Sequence, residues 1–208
     1  MAALSHVHRF EPGGDVVATP LLLLHGTGGD ETDLLPLGRH VAPDAPLISP
    51  RGAVLEGAMP RFFRRLGEGV FDEADLRRRA NDLADFVAQA RKAYGIAEPV
   101  ALGYSNGANI AAAMMLLRPE TLKGAILMRA MAPFATPPKA ELGGVPVLVL
   151  SGLDDPIVPA SSVERLVSSL ESSGARVERE ALIASHGLTK TDLVRARAFY
   201  DKHFGARG

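Results

Sequence analysis

Short runs of apolar residues recur along the chain, and turn-forming residues flank most of them. Most of these runs are apolar throughout and do not alternate with polar positions. That pattern is typical of strands buried on both faces of a parallel sheet. We therefore predict six strands, over residues 20–25, 46–49, 99–102, 124–128, 145–150 and 176–183.

Helical patterns separate the predicted strands. Over residues 75–94, apolar side chains recur every three or four positions and charged ones take the other side, which predicts an amphipathic helix. A second apolar stripe lies between Pro159 and Gly174, residue types favoured near the start and just past the end of a helix. Residues 106–118 are apolar nearly all round, which predicts a buried helix, and a last helix is predicted over residues 189–203.

Strands that alternate with helices predict βαβ units and a parallel sheet. The chain has 208 residues, without internal repeats or linker-like tracts. We therefore expect a single α/β domain over residues 1–208, with a mostly parallel twisted sheet and helices on both faces. In such sheets, ligands bind beyond the carboxyl ends of the strands, so the candidate chemistry should lie there.

Composition narrows the classes of function. The 23 basic residues nearly balance the 24 acidic ones, so no global field favours nucleic acid or an anionic membrane. The chain has no cysteine, which excludes disulfides, cysteine-based zinc sites and a cysteine nucleophile. Its start does not resemble a signal peptide, and no apolar run approaches the ~20 residues of a membrane span. We expect a cytoplasmic protein without membrane insertion.

Gly103-Tyr104-Ser105-Asn106-Gly107 fits the GxSxG pattern of a nucleophile elbow. In an elbow, a sharp strand-to-helix turn exposes the serine hydroxyl, and small flanking residues let the backbone make that turn. The motif lies between a predicted strand and the predicted buried helix, which is the context it requires. Ser105 is therefore the candidate nucleophile.

A serine nucleophile needs a histidine base, and the histidine needs an acid that fixes its tautomer. Of the six histidines, only His186 and His203 follow Ser105. His186 follows the last predicted strand and is the candidate base, whereas His203, near the end of the last helix, is expected to face solvent. For the acid, Asp154 and Asp155 follow the strand at 145–150, and spacing does not choose between them.

A glycine-rich segment, residues 24–30, follows the first predicted strand. Such a loop lets backbone N–H groups approach a developing oxyanion closely. The candidate donors are the amides of Thr27 and of Asn106, the residue after the nucleophile. His25 is expected to orient the loop through hydrogen bonds. The segment matches neither common phosphate-binding pattern.

These motifs together resemble the α/β-hydrolase superfamily, in its phospholipase/carboxylesterase branch. The resemblance covers residues 25–188 and rests on Leu-His-Gly-Thr-Gly-Gly-Asp-Glu, Gly-Tyr-Ser-Asn-Gly-Ala-Asn-Ile-Ala, Asp-Asp-Pro-Ile-Val-Pro and Ser-His-Gly-Leu, in the family's order. In that family the acid directly precedes Pro-x-Val-Pro, which implies Asp155. The segments Ser-Pro-Arg-Gly and Met-Pro-Arg-Phe-Phe-Arg-Arg are most similar to those of bacterial hydroquinone-inducible carboxylesterase-like hydrolases.

The resemblance implies a serine hydrolase that cleaves short-chain or aryl carboxylic esters through an acyl-enzyme, with no metal or cofactor. Thioesterase, lysophospholipase or lactone hydrolase activity on the same residues is the alternative, and a non-catalytic binding protein is a third. The elbow carries Tyr104 and Asn106 where acyl-protein thioesterases have His and Gln, which argues against long-chain deacylation. Similar proteins commonly form homodimers, so a homodimer is a candidate assembly, and the chain's length leaves no room for a separate lid domain.

The segment between the second predicted strand and the first long helix has several large apolar residues near the expected site. We predict that they wall a pocket for a small ester substrate, together with two residues that follow the strand at 124–128. The predicted pocket residues are Leu55, Met59, Phe62, Phe63, Phe71, Met131 and Phe134. Arg61, Arg64 and Arg65 in the same segment have acidic neighbours, which predicts a solvated charged face and no anion site.

Overall fold

The computed structural model describes residues 4–14 and 18–205. The elements of these residues, in chain order, are β1 (His8–Glu11), β2 (Leu21–Leu24), α1 (Leu35–Val41), β3 (Leu47–Pro50), β4 (Val54–Glu56), β5 (Met59–Arg61), β6 (Arg65–Gly67), β7 (Val70–Phe71), α2 (Glu73–Tyr94), β8 (Val100–Tyr104), α3 (Asn106–Leu117), β9 (Gly124–Met128), β10 (Pro146–Gly152), α4 (Ala160–Ser172), β11 (Arg176–Leu182) and α5 (Lys190–Phe204).

Seven of the strands in the described residues form one sheet, in the order β1-β3-β2-β8-β9-β10-β11. Neighbouring strands run parallel from β3 to β11, and β1 alone pairs antiparallel, with β3. The six predicted strands are the six parallel ones, so the prediction of a mostly parallel sheet is confirmed.

Helices cover both faces of the sheet, as the pattern predicts. Alternate residues of β2 divide between two apolar clusters, with Leu22 and Leu24 in one and Leu21 and Leu23 in the other. The first cluster includes apolar residues of α2, α3 and α4, and the second includes those of α1 and α5. A strand with apolar clusters on both sides cannot alternate with polar residues, which is why its sequence is apolar throughout.

The predicted helices begin and end within two or three residues of the observed ones. The Asp72 carboxylate accepts a hydrogen bond from the Asp75 amide at the start of α2, and Gly95 ends the helix in a left-handed conformation (φ 66°). α3 is buried nearly all round, as its sequence predicts, because it packs between the sheet and α2.

Several small elements were not predicted from the sequence. They are β1, the seven-residue helix α1, and two short hairpins between β3 and α2, formed by β4 with β5 and by β6 with β7. The hairpins lie where the sequence analysis expects only a pocket-forming loop. Within the part of the chain that the structure describes, no separate lid domain is inserted into the fold.

Candidate active site

Ser105 lies at the junction of β8 and α3 with a backbone that few residues adopt (φ 52°, ψ −114°). Its amide donates a hydrogen bond to the Met128 carbonyl at 2.9 Å, which ties the turn to β9. The two glycines that flank the turn, Gly103 and Gly107, are required because other backbone atoms lie too close to leave room for a Cβ. A Cβ at Gly107 would lie 2.0 Å from the Leu24 carbonyl oxygen, and one at Gly103 would lie 2.7 Å from the Ala108 Cα. The GxSxG spacing is therefore the steric condition for this turn.

The structure brings Ser105, His186 and Asp155 together in one chain of contacts. His186 Nε2 lies 2.9 Å from Ser105 Oγ, and His186 Nδ1 lies 2.9 Å from Asp155 Oδ2. The Asp155 side chain is only 1% exposed, and its Oδ1 accepts hydrogen bonds from the amides of Ile157 (2.9 Å) and Val158 (3.1 Å). These amide contacts fix the carboxylate, so its second oxygen is held toward the imidazole.

Asp154 and His203, the alternative candidates for the acid and the base, have other partners. Asp154 is exposed, and its amide donates a hydrogen bond to the Ala184 carbonyl at 3.1 Å. His203 Nε2 donates to Glu178 Oε1 at 2.7 Å, and its side chain is largely buried, so it does not face solvent as expected. Within the described part of the chain, no hydrogen bond joins either residue to Ser105 or His186.

The amides of Thr27 and Asn106 stand at the two turns beside Ser105. Among the described residues, neither amide donates a hydrogen bond to another group of the protein. Asn106 is the first residue of α3, where N–H groups have no partner within the helix and the helix dipole favours negative charge. Both amides are therefore free to bind an oxyanion.

His25 holds the loop that carries Thr27, as the sequence predicts. Its Nδ1–H donates to the Gly26 carbonyl at 2.6 Å, and its Nε2 accepts a hydrogen bond from the Gly52 amide at 3.0 Å. Burial lowers the pKa of His25, although the Gly26 carbonyl opposes this. The ring is therefore neutral at neutral pH and keeps the Nε2 lone pair that the Gly52 contact requires.

The hairpin strand β5 holds the same loop from the other side. The Gly28 amide donates to the Pro60 carbonyl at 2.9 Å, and Arg61 Nη1 donates to Thr27 Oγ1 at 2.6 Å. The β4–β5 hairpin thus helps to position the loop that carries the candidate donor Thr27.

Arg129 is a site residue that the sequence analysis missed. It directly follows β9, is fully buried, and binds the Asp192 carboxylate through two contacts of 2.7 and 2.9 Å. It also donates to the carbonyls of Ser185 (3.0 Å) and Gly187 (2.9 Å), the residues on either side of His186. An arginine directly after a wholly apolar strand was the signal in the sequence that could have identified it.

Asp192 supplies the counter-charge for Arg129 from the first turn of α5. Burial would raise the pKa of Asp192, but hydrogen bonds from Arg129 and Thr189 lower it below its ordinary value. The carboxylate is therefore ionised at neutral pH, and the pair joins α5 to the His186 loop.

A cavity of about 340 Å³ opens beside Ser105, His186, Thr27 and Asn106. Of the predicted pocket residues, Met59, Phe71 and Met131 line this cavity. Tyr104 and Ile157, which were not among the predicted pocket residues, add to its lining.

Four predicted pocket residues lie away from this cavity. Leu55, on β4, is 68% exposed. Phe62 and Phe63 are buried in the core beneath the hairpins, where Phe63 packs edge-on against Phe71. Phe134 lines a separate cleft, with the Arg77 guanidinium 4.3 Å from its ring centre.

The three arginines of the basic segment have different environments. Arg64 is exposed and paired with Asp72, as a solvated face requires. Arg65 pairs with Glu56 and borders the cavity. Arg61 is only 3% exposed and lines the cavity, so the prediction of a solvated face is wrong for this residue. Its position in β5 turns it inward beside Thr27.

Comparison with known proteins identifies the family. The model of the family described as phospholipase/carboxylesterase matches residues 8–204. The chain belongs to the phospholipase/carboxylesterase family. It is 45% identical over 182 residues to the Bacillus subtilis (strain 168) protein MhqD, which carries a hydrolase name, covering 86% of this chain and 91% of that protein.

Solved structures of two carboxylesterases share the fold. The Bacillus cereus carboxylesterase matches with a TM-score of 0.94 and 44% identity, over 96% of this chain and 95% of that one. The carboxylesterase from Mesorhizobium loti matches with a TM-score of 0.90 and 31% identity, over 96% of both chains. The chain therefore has the α/β-hydrolase fold and is an esterase-type hydrolase.

Residues 4–14 and 18–205 contain no cluster of three or more histidine, aspartate or glutamate side chains that could hold a metal ion. None of the helices in the same residues has the length and apolar character needed to cross a membrane.

Proposed function

We propose that this esterase-type hydrolase cleaves small carboxylic esters, with Ser105 as nucleophile, His186 as base and Asp155 as the acid that orients it. The observation that carries the proposal is the chain of two 2.9 Å contacts through His186, which ends at a serine beside an open cavity. A hydroxyl becomes a competent nucleophile when a base within hydrogen-bond reach takes its proton.

In the first half of the reaction, Ser105 Oγ bonds to the ester carbonyl carbon while its proton moves to His186 Nε2. The charge that develops on the carbonyl oxygen is stabilised by the amides of Thr27 and Asn106. Asp155 stabilises the imidazolium that forms. The bond to the leaving oxygen then breaks, His186 returns the proton to that oxygen, and the acyl group remains on Ser105.

In the second half, His186 takes a proton from water, and the water oxygen bonds to the acyl carbon. The bond from that carbon to Ser105 Oγ breaks, and His186 returns the proton to the serine. The products are one acid and one alcohol, and the enzyme is restored.

The volume and the lining of the cavity favour small ester substrates. Its volume of about 340 Å³ lies near the lower end of the ~300–1,000 Å³ common for ligand pockets. Met59, Met131 and Ile157 offer apolar contacts, so a short acyl chain or a single aromatic ring fits better than a long acyl chain. The hairpins that flank the cavity are the elements that shape it.

Labelling with a fluorophosphonate tests the nucleophile. We expect the wild-type protein to be labelled covalently and Ser105→Ala to lose both the label and esterase activity, with kcat reduced by about 10⁴-fold or more. Ser161→Ala changes an exposed serine on α4 and is the matched control, which should keep both. Absence of label on folded wild-type protein, or labelling of Ser105→Ala at the wild-type rate, would rule out the proposal.

A further inference from the structure

Arg61 is a buried guanidinium on the wall of the active-site cavity. Its Nε donates to the Phe63 carbonyl at 3.2 Å, and its Nη1 donates to Thr27 Oγ1 at 2.6 Å. No group of the described residues accepts a hydrogen bond from Nη2. A buried guanidinium has five N–H donors to satisfy, so Arg61 keeps unused donor capacity at the cavity.

The positive charge of Arg61 is only partly balanced. Its carboxylate neighbour, Glu56, lies 3.4 Å from Nη1. The same carboxylate makes its shorter contacts with Arg65, at 2.6, 3.0 and 3.1 Å. Burial and the charge of Arg65 both lower the pKa of Arg61, and Glu56 opposes them. The Glu56 carboxylate therefore pairs with two guanidiniums, and its contact with the buried Arg61 is longer than its contacts with Arg65.

Among the residues that line the cavity, Glu68 is the acidic one. It is exposed at the β6–β7 hairpin, where solvent screens its charge, and it lies close enough to Arg65 to raise the pKa of that arginine. It therefore offsets the charge of Arg65 more than that of Arg61.

Asn109 offers a second donor to the cavity from α3, one turn after Ser105. The residue is only 3% exposed, and its Oδ1 accepts a hydrogen bond from the Met131 amide at 2.8 Å. That contact fixes the orientation of the amide group. The Nδ2 hydrogens have no acceptor among the described residues, which leaves a fixed donor at the cavity.

We propose that this cavity binds a carboxylate group of the ester substrate, with Arg61 as the cationic contact and Asn109 as a neutral donor. The substrate class is then small esters that carry a carboxylate within a few bonds of the scissile carbonyl. Since Arg61 contacts Thr27, the carboxylate lies beside the proposed oxyanion donors. This inference rests on the proposed esterase function and assigns its substrate class.

Two pairs of esters test the proposal and locate the carboxylate. Ethyl butyrate and monoethyl succinate differ by a carboxylate in the acyl group, whereas 4-methylphenyl acetate and 4-acetoxybenzoate differ by a carboxylate in the leaving group. We expect wild-type protein to hydrolyse the charged member of one pair with the higher kcat/KM. A preference for the neutral member in both pairs would overturn the proposal without any variant.

Arg61→Gln should lower kcat/KM for the preferred charged ester by at least about tenfold more than it does for the neutral counterpart, because hydrogen bonds to charged groups are strong. Most of this loss should appear as a higher KM. Arg61→Lys, which keeps the charge, should retain part of the preference. An equal loss on charged and neutral esters would show that Arg61 only positions Thr27, and it would overturn the carboxylate site.

Arg64→Gln is the matched control, because Arg64 lies in the same segment but is exposed and paired with Asp72. It should leave the preference unchanged, and a loss equal to that of Arg61→Gln would overturn the assignment to Arg61. Failure of the wild-type protein on all four esters would instead overturn the proposed esterase function, and the carboxylate site with it. The two failures are therefore distinguishable.

Discussion

Asp154 and Asp155 are adjacent and chemically identical, yet their environments differ completely. Asp155 receives two amide hydrogen bonds and contacts His186, whereas Asp154 is exposed. Spacing could not separate them, because one backbone rotation in the loop decides which carboxylate points inward. The resemblance to the family, through the Pro-x-Val-Pro that follows, favoured Asp155, and the structure places that residue beside the imidazole.

We expect Asp155→Asn to lower kcat by about 10³–10⁴-fold on a neutral ester, because an amide does not stabilise the imidazolium and favours the wrong tautomer. Asp154→Asn makes the same chemical change one residue earlier and should alter kcat by less than about twofold. Steady-state kinetics of the two purified variants check this. Equal effects would contradict the assignment of Asp155.

For the pocket, the sequence predicts which residue types are present but does not predict which face of the segment each side chain takes. The segment 51–72 contains the right kinds of side chain, but the face each one takes depends on the register of two short hairpins. In β5, Met59 is exposed and Arg61 is buried, the reverse of what their polarity suggests. Hydrophobicity alone could not predict a charged residue buried beside Thr27.

At the scale of elements, the position of the loop that carries His186 depends on the strand β9 and the helix α5. Arg129 follows β9, Asp192 lies in the first turn of α5, and their ion pair is fully buried. Removing one partner of such a pair leaves an uncompensated buried charge. The loop therefore takes its position from two residues that are 63 positions apart in sequence, so no local pattern pairs them.

Asp192→Asn should lower the free energy of unfolding by about 3–5 kcal/mol, because the Arg129 charge loses its partner. It should also lower kcat, since the carbonyls around His186 lose their anchored donor. Chemical denaturation and ester kinetics on the same samples measure both effects.

Glu180→Gln is the matched control for this prediction. Glu180 pairs with Arg195 at the surface, with both side chains 40% exposed or more. Exposed pairs contribute at most about 1 kcal/mol, so this variant should keep nearly wild-type stability and full activity. If the two variants lost equal stability, the buried pair would have no special role.

The sequence predicted the long buried strands but not the short ones. The six parallel strands were predicted because burial on two faces gives continuous apolar runs. β1 was not, because it is a four-residue edge strand with only partly buried side chains and a mixed sequence, His-Arg-Phe-Glu. The hairpins, with strands of two or three residues, are too short for periodicity to show.

At the scale of the whole molecule, stability should depend on pH through His25. Burial lowers its folded-state pKa below the ordinary value of 6.5, so the unfolded chain binds a proton at a higher pH than the folded one does. The contribution of His25 to stability is complete above pH 6.5. It should fall as the pH drops from about 6.5 toward the folded-state pKa.

Urea denaturation between pH 7.5 and 5 checks this dependence. His25→Gln, which keeps an acceptor but does not titrate, should show a smaller loss of stability across that range than the wild-type protein. His6, whose pKa burial also lowers, contributes equally to both proteins and cancels in the difference. Identical slopes in the two proteins would contradict a buried neutral His25.

The overall architecture was the most predictable level, because it follows from the alternation of strands and helices and from two-sided burial. The site was most predictable where a motif and the chain order constrain it, as with Ser105 and His186. Arg129, Arg61 and Asn109 act through contacts with distant segments. The apolar strand before Arg129 marks that residue as unusual, but the sequence does not identify the partner of any of the three.

β11, at the end of the sheet opposite β1, has one side unpaired within the described residues. Exposed strand edges invite a second chain to add its own strand and so begin aggregation. The sequence of β11, Arg-Val-Glu-Arg-Glu-Ala-Leu, carries four charges in seven residues. Those charges oppose edge-to-edge addition, so the same strand that completes the sheet also protects concentrated solutions of this enzyme against assembly into continuous sheets.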